Sequence, residues 1–180
     1  MGRATVLTLV GSLRAASINR QLAEAAAHAA PDQVDVVTYD GLDEIPFYNE
    51  DIDTDDPPPA VGALRAAVAD ADAVLIVTPE YNGTIPAVLK NAIDWLSRPY
   101  GNSAVSDKPL AVVGTAMGRF GGVWAHDDTR KSFGIAGARV VDSITLSLPV
   151  AALDGKHPRE SAEVTGSLRE ILAELVAQPD

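Results

Sequence analysis

The sequence predicts an α/β fold in which one parallel sheet carries helices on both faces. Three observations lead there. Five short runs are apolar and rich in Val, Ile and Leu. The clearest, Ala73 to Val77, is apolar at every position, as a strand buried on both faces requires. Between the runs, apolar residues recur at helical spacing, and this strand–helix alternation implies parallel strands joined by covering helices.

Taken in order, residues 5–10 read as a buried strand. Residues 11–20 begin as a loop of small hydrogen-bond donors. They run into Ile18, Leu22, Ala25, Ala26 and Ala29, which share one helical face. Residues 34–38 are a weakly alternating second strand. Residues 40–59 are polar, turn-rich and broken by Pro57, Pro58 and Pro59, and read as a long surface loop, either a plain connection or a lid or partner contact. A helix over 60–69 leads to the strand at 73–78, a loop at 79–86 and a helix at 87–98. A strand at 110–115, a glycine-rich loop at 116–122 and a helix at 123–135 follow. The last strand covers 139–146, and Val164, Leu168, Ile171, Leu172 and Leu175 mark a final helix. Five strands in 180 residues suit a flavodoxin-like three-layer sandwich with strand order 2-1-3-4-5, built as a single domain over 1–180.

Composition excludes several classes of function. With no cysteine, disulfides, thiolate metal sites, cysteine nucleophiles and dithiol chemistry are absent. Redox chemistry would therefore need a bound cofactor. A formal net charge of -11 disfavours nucleic acid and anionic membrane surfaces. No apolar run is long enough to span a membrane, and the N-terminus shows no signal peptide, so a cytoplasmic location is expected. His28, His126 and His157 are scattered, which argues for structural or solvated roles and against a metal site. No G-x-S-x-G elbow is present, which makes acyl transfer by serine improbable.

The loop after the first strand has the chemistry of an anion site. Amides at a helix start lack intrahelical partners, and the helix dipole adds positive charge there. Gly11 permits a sharp turn. Ser12, Ser17 and Asn19 offer side-chain donors, and Arg14 offers a charge-assisted one. Neither a Walker A loop nor G-x-G-x-x-G is present. The alternative is a plain turn with Ser17 as helix cap and Arg14 in solvent. In the order 2-1-3-4-5, ligands sit where the loops after strands 1, 3 and 4 converge. Those loops hold residues 11–19, 79–84 and 115–122. The second is Pro79, Glu80, Tyr81, Asn82, Gly83 and Thr84, whose Asn-Gly pair favours a tight turn with outward amides and carbonyls. A hairpin is not expected there, because a helix follows. In the third, Arg119 faces either the ligand or solvent, and Phe120 reads as core packing.

These residues resemble the NADPH-dependent FMN reductase family, a flavodoxin-like group that includes quinone, chromate and azo reductases. The similarity covers nearly the whole chain. It is carried by Gly11, Ser12, Arg14, Ser17 and Asn19, by the run from Thr78 to Gly83 with Pro86 and the segment from Lys90 to Trp95, and by Gly118 to Gly122. The resemblance implies tightly bound FMN. By matching positions, Ser12, Arg14, Ser17 and Asn19 would hold its phosphate. Pro79, Glu80, Tyr81, Asn82 and Gly83 would line the isoalloxazine, mainly through backbone groups. The third loop, with Thr115, Met117 and Gly118, would reach the pyrimidine side; Thr115 to Met117 departs from the Ser or Gly common in the family. The implied reaction is ping-pong hydride transfer from NADPH or NADH, through FMN, to a quinone, flavin or similar small acceptor.

The competing reading is a one-electron carrier of the flavodoxin type. An aromatic-poor ring site and a cationic Arg119 favour the reductase. The resemblance also implies a homodimer or homotetramer. On the helix at 87–98, Trp95 lies off the apolar stripe beside Asn91 and Arg98, which suggests an interface anchor; the alternative is packing on Tyr100.

Overall fold

The computed structural model describes residues 2–178. Its strands are β1 (Ala4–Val10), β2 (Val34–Tyr39), β3 (Ala73–Val77), β4 (Pro109–Ala116) and β5 (Arg139–Pro149). The helices are α1 (Ile18–Ala29), α2 (Pro59–Asp70), α3 (Ala87–Leu96), α4 (Val123–Ile135) and α5 (Ala162–Val176). All neighbouring strands pair in parallel, in the order β2-β1-β3-β4-β5.

Period-two alternation splits the core into two layers. Val6 and Val10 of β1, Ala73, Leu75 and Val77 of β3, and Ala111 and Val113 of β4 face one side. There they meet Leu22, Ala25 and Ala26 of α1 and Leu168, Leu172 and Leu175 of α5. The intervening residues Leu7, Leu9, Val74, Ile76, Leu110 and Val112 face the other side, against Leu64 and Val68 of α2, Leu89 and Ile93 of α3 and Phe133 of α4. This explains why β3 is apolar at all five positions: it is buried on both faces. Helix starts match their caps. Ser17 Oγ accepts the Arg20 N–H at 3.3 Å, Ser161 Oγ accepts the Val164 N–H at 3.3 Å, and Pro59 opens α2, where no backbone donor is needed. No helix among the described residues is long and apolar enough to cross a membrane.

Residues 40–59 are not a loose loop. Two short 3-10 turns, Leu42–Glu44 and Glu50–Ile52, punctuate them, and Leu42 and Ile45 enter the core. Side chains of α3 grip the segment. Asn91 Oδ1 accepts the Tyr48 N–H at 2.8 Å, Asn91 Nδ2 donates to Pro46 O at 3.0 Å, and Trp95 Nε1 donates to Pro46 O at 2.8 Å. Tyr48 meets the Trp95 ring edge-on at 4.9 Å, and Arg65 joins Asp53 to the Trp95 carbonyl. Trp95 is therefore fully buried in its own chain. This corrects its reading as an interface anchor, and the Tyr100 alternative too, since Tyr100 stays 87% exposed.

Candidate functional site

The strand order reverses direction between β1 and β3, so α1 leaves to one side of the sheet and α3 to the other. The gap between them opens at the carboxyl ends of the strands. Three loops meet there.

The loop after β1 starts at buried Gly11, whose N–H donates to Val77 O at 2.9 Å. A Cβ at Gly11 would run into the Thr78 side chain, so only glycine lets the first two loops pass this closely. The N–H groups of Ser12, Leu13, Arg14, Ala15, Ala16, Ile18 and Asn19 have no partner among the described residues; only Ser17 within this run donates, to Arg14 O at 3.1 Å. Ser12 and Ser17 are buried, while Arg14 is exposed and reaches only the Ala16 carbonyl, at 3.4 Å. Ser17 Oγ accepts from the helix start and keeps its own proton to donate.

Asn19 also has a structural bond pair. Its Nδ2 donates to Thr115 O at 2.9 Å, and its Oδ1 accepts the Thr115 N–H at 2.9 Å. Both polar ends of this buried amide are used on one peptide of β4. Asn19 is thus a clamp between α1 and β4, and its second Nδ2 proton and its backbone N–H carry no bond among the described residues.

In the second loop, buried Thr78 and Pro79 lead to Glu80, whose Oε2 accepts the Ala125 N–H at 3.3 Å and caps the start of α4. The Glu80 carboxylate therefore points to α4, leaving its backbone for the site. Tyr81 and Thr84 exchange backbone hydrogen bonds at 3.2 and 3.1 Å across Asn82 (φ 53°) and Gly83 (φ 75°). This is a two-residue hairpin with a primed turn. Its presence corrects the expectation that the helix after this loop rules a hairpin out: the turn closes before α3 begins. Tyr81, Asn82 and Gly83 are exposed at its tip. Thr84 Oγ1 donates to Asp128 Oδ2 at 2.7 Å, tying the hairpin to α4.

In the third loop, Thr115 is buried and its Oγ1 has no hydrogen-bond partner among the described residues. Met117 and Gly118 are exposed, and Gly118 O accepts the Gly121 N–H at 3.0 Å. Phe120 is 48% exposed, which corrects its reading as core packing. Its ring lies 5.7 Å from that of Trp124, and the Arg119 guanidinium lies 4.4 Å from the Phe120 centroid.

His126, like His28 and His157, reads from the sequence as structural or solvated. It is fully buried, with Nε2 2.9 Å from Thr78 O and Nδ1 2.6 Å from Ser147 Oγ. A carbonyl can only accept, so Nε2 carries the proton and Nδ1 accepts from Ser147. Burial pushes the His126 pKa below its ordinary value. The residue pins the start of the second loop to α4 and β5. No group of three His, Cys, Asp or Glu residues converges for a metal among the described residues.

A cleft of about 980 Å³ lies at the opposite end of the sheet, lined by Arg3, Asp72, Lys108 and Arg139. Its polar groups serve the backbone. Lys108 Nζ donates to the carbonyls of Ala69 and Ala71, and Asp72 accepts the Thr5 N–H. The switch-point end has the free donors instead.

The model of the NADPH-dependent FMN reductase family matches residues 4–153. A quinone reductase from Pseudomonas putida is 42% identical over 151 residues, covering 84% of this chain and 78% of that protein. A 2-hydroxy-1,4-benzoquinone reductase from a Burkholderia species is 40% identical over 165 residues, covering 91% and 84%. Among solved structures, the flavoenzyme NAD(P)H:(acceptor) oxidoreductase of Paracoccus denitrificans superposes with a TM-score of 0.84 at 30% identity, covering 96% of this chain and 95% of that one.

Proposed function

The chain belongs to the NADPH-dependent FMN reductase family, and we propose that it passes electrons from NADPH or NADH, through bound FMN, to quinones. The observation that carries the cofactor assignment is the run of unpaired N–H groups from Ser12 to Ala16 beside Arg14. Such a run, at a helix start, suits a terminal phosphate. The buried Thr115 hydroxyl, without a hydrogen-bond partner among the described residues, suits a polar ring edge.

The chemistry that FMN supplies when bound is two-electron exchange, with nicotinamide on one side of the cycle and quinone on the other. The chain's own part is position. The amides of Ser12 to Ala16, the Ser17 hydroxyl and Arg14 take the phosphate. The hairpin at 81–84 holds the Pro79 to Gly83 backbone rigid, so its amides and carbonyls face a flat heterocycle without a reorganisation cost. Asn19 and His126 fix the loop ends on which those groups ride. Tyr81, Met117 and Gly118 leave the outer face open to exchange donor for acceptor. No side chain is required as an acid or base. A cytoplasmic location suits an NAD(P)H-dependent enzyme.

A second copy of the chain completes the assembly, packed on the face of α3 and α4. Tyr100 and Ile135 are 87% and 77% exposed there, around a groove of about 520 Å³ that Lys90, Ile93 and Arg98 help to line. Charge on these elements is close to balance, with Lys90, Arg98, Arg130 and Lys131 against Asp94, Asp127 and Asp128, although the chain as a whole carries -11. A self-complementary contact between acidic chains needs such a patch.

Anaerobic mixing of the FMN-loaded protein with NADPH and NADH tests the reading. Bleaching of the flavin absorbance, its return on adding a benzoquinone, and parallel-line initial-rate plots are expected. A protein whose bound flavin neither nucleotide bleaches is a carrier instead.

A further inference from the structure

We propose that Arg119, Phe120 and Trp124 form a ledge that receives the adenosine-phosphate end of the nicotinamide dinucleotide. The proposal rests on the reading above that such a dinucleotide is the donor. Trp124, in the first turn of α4, is 56% exposed, and Phe120 packs on it and not into the core. The two rings are inclined at 56° to each other, and the exposed indole of Trp124 offers an apolar face on which a base can stack. Arg119 lies over the Phe120 ring and makes no ion pair among the described residues. The other cations at this end stand across the gap in the phosphate loop: Arg14, and Arg20 bound to Asp40 at 2.8 Å. Arg119 is thus the cation beside the hairpin, in a chain whose charge otherwise repels phosphates.

The ledge is held rigidly. Gly121, at φ 64°, lies against the Ser147 backbone where a side chain would not fit, and its N–H closes a turn on Gly118. The second loop bonds α4 twice, through Glu80 to Ala125 and through Thr84 of the hairpin to Asp128. Asp128 lies one helical turn beyond Trp124, so the aromatic pair stands on the same rim as the hairpin. The chemistry then selects the ligand. A quinone would use the rings but not the cation, and a small inorganic anion the cation but not the rings. A base carrying phosphate uses both.

The probe is adenosine 2′,5′-bisphosphate, titrated calorimetrically into the FMN-loaded protein. It lacks nicotinamide and so reports the ledge apart from turnover. Saturable binding is expected, competitive with NADPH. Arg119→Met should weaken it about ten- to a hundred-fold, the loss of a charge-assisted hydrogen bond. Trp124→Leu should weaken it several-fold, with recovery in Trp124→Phe, which keeps a stacking face. Flavin absorbance per chain, measured for every variant, confirms that the fold and cofactor site persist. No binding at millimolar probe, or an affinity untouched by Arg119→Met, overturns the ledge even if NADPH still bleaches the flavin. A change of mass by light scattering in Trp124→Leu, with no probe binding in the parent, assigns the rings to a subunit contact and also overturns it. Probe binding that depends on Arg119, in a protein whose flavin no nicotinamide reduces, keeps the ledge and overturns the reductase reading.

Discussion

Two side chains of the first loop look interchangeable in sequence and are opposite in structure. Arg14 is exposed, with one long contact to Ala16 O, whereas Asn19 is buried with both ends on Thr115. Arg14→Ala should leave the urea stability of the flavin-free protein unchanged and raise the FMN dissociation constant about ten- to a hundred-fold. Asn19→Ala leaves a buried N–H and C=O of Thr115 unpaired, at about 1–3 kcal/mol each. It should destabilise the flavin-free protein by about 2–6 kcal/mol, read from the urea midpoint, with weaker FMN binding as a consequence. Titration calorimetry and urea unfolding on both variants separate a ligand contact from a clamp. The polar character of Asn19 was legible in the sequence; its partner was not, because Thr115 lies 96 positions away and no local pattern links them.

Elements whose residues repeat with a period were legible, and those held by single contacts were not. The bounds of α4 follow from the Gly121-Gly122 break and the spacing up to Ile135. Residues 40–59 have no period, so their attachment through Pro46 and Tyr48 to α3 was hidden, and with it the reason Trp95 sits off the apolar stripe. Asn91→Ala removes the bonds to Pro46 O and Tyr48 N–H while Trp95 still packs. Chymotryptic cleavage at exposed Phe47 should become several-fold faster in native conditions, followed by mass spectrometry; an unchanged rate would mean that Trp95 and Arg65 hold the segment alone. His126 locks α4 to β3 and β5 in its neutral form. Its folded pKa lies below the ordinary 6.5, so on acidification the unfolded chain binds the proton first. Stability from this group is complete above about pH 6.5 and is lost as pH falls from there through the lower folded value. Urea unfolding between about pH 7 and 5.5 should show that downward slope, and His126→Gln should flatten it while keeping an amide donor for Thr78 O.

At the scale of the molecule, the net charge decides how copies meet. Two chains at -11 repel over the Debye length, about 30 Å at 0.01 M salt and about 8 Å at 0.15 M. The α3–α4 face escapes this, since its lysines and arginines offset its carboxylates and exposed Tyr100 and Ile135 supply apolar area. Association through a neutral patch between acidic bodies should therefore strengthen as salt rises, the reverse of a contact built on attraction between opposite charges. Light scattering of the parent should give a mass at least twice 18.8 kDa at micromolar concentration, with a dissociation constant that falls between low and physiological salt. Ile135→Asp adds a fourth carboxylate to Asp94, Asp127 and Asp128 and removes an exposed apolar side chain without touching either core layer. It should shift the mass toward 18.8 kDa while thermal unfolding stays cooperative. A parent that runs as a monomer at every salt concentration rejects the assembly. A dimer indifferent to Ile135→Asp, but weakened by salt, moves the interface to a face with complementary charge and leaves α3 and α4 open to solvent.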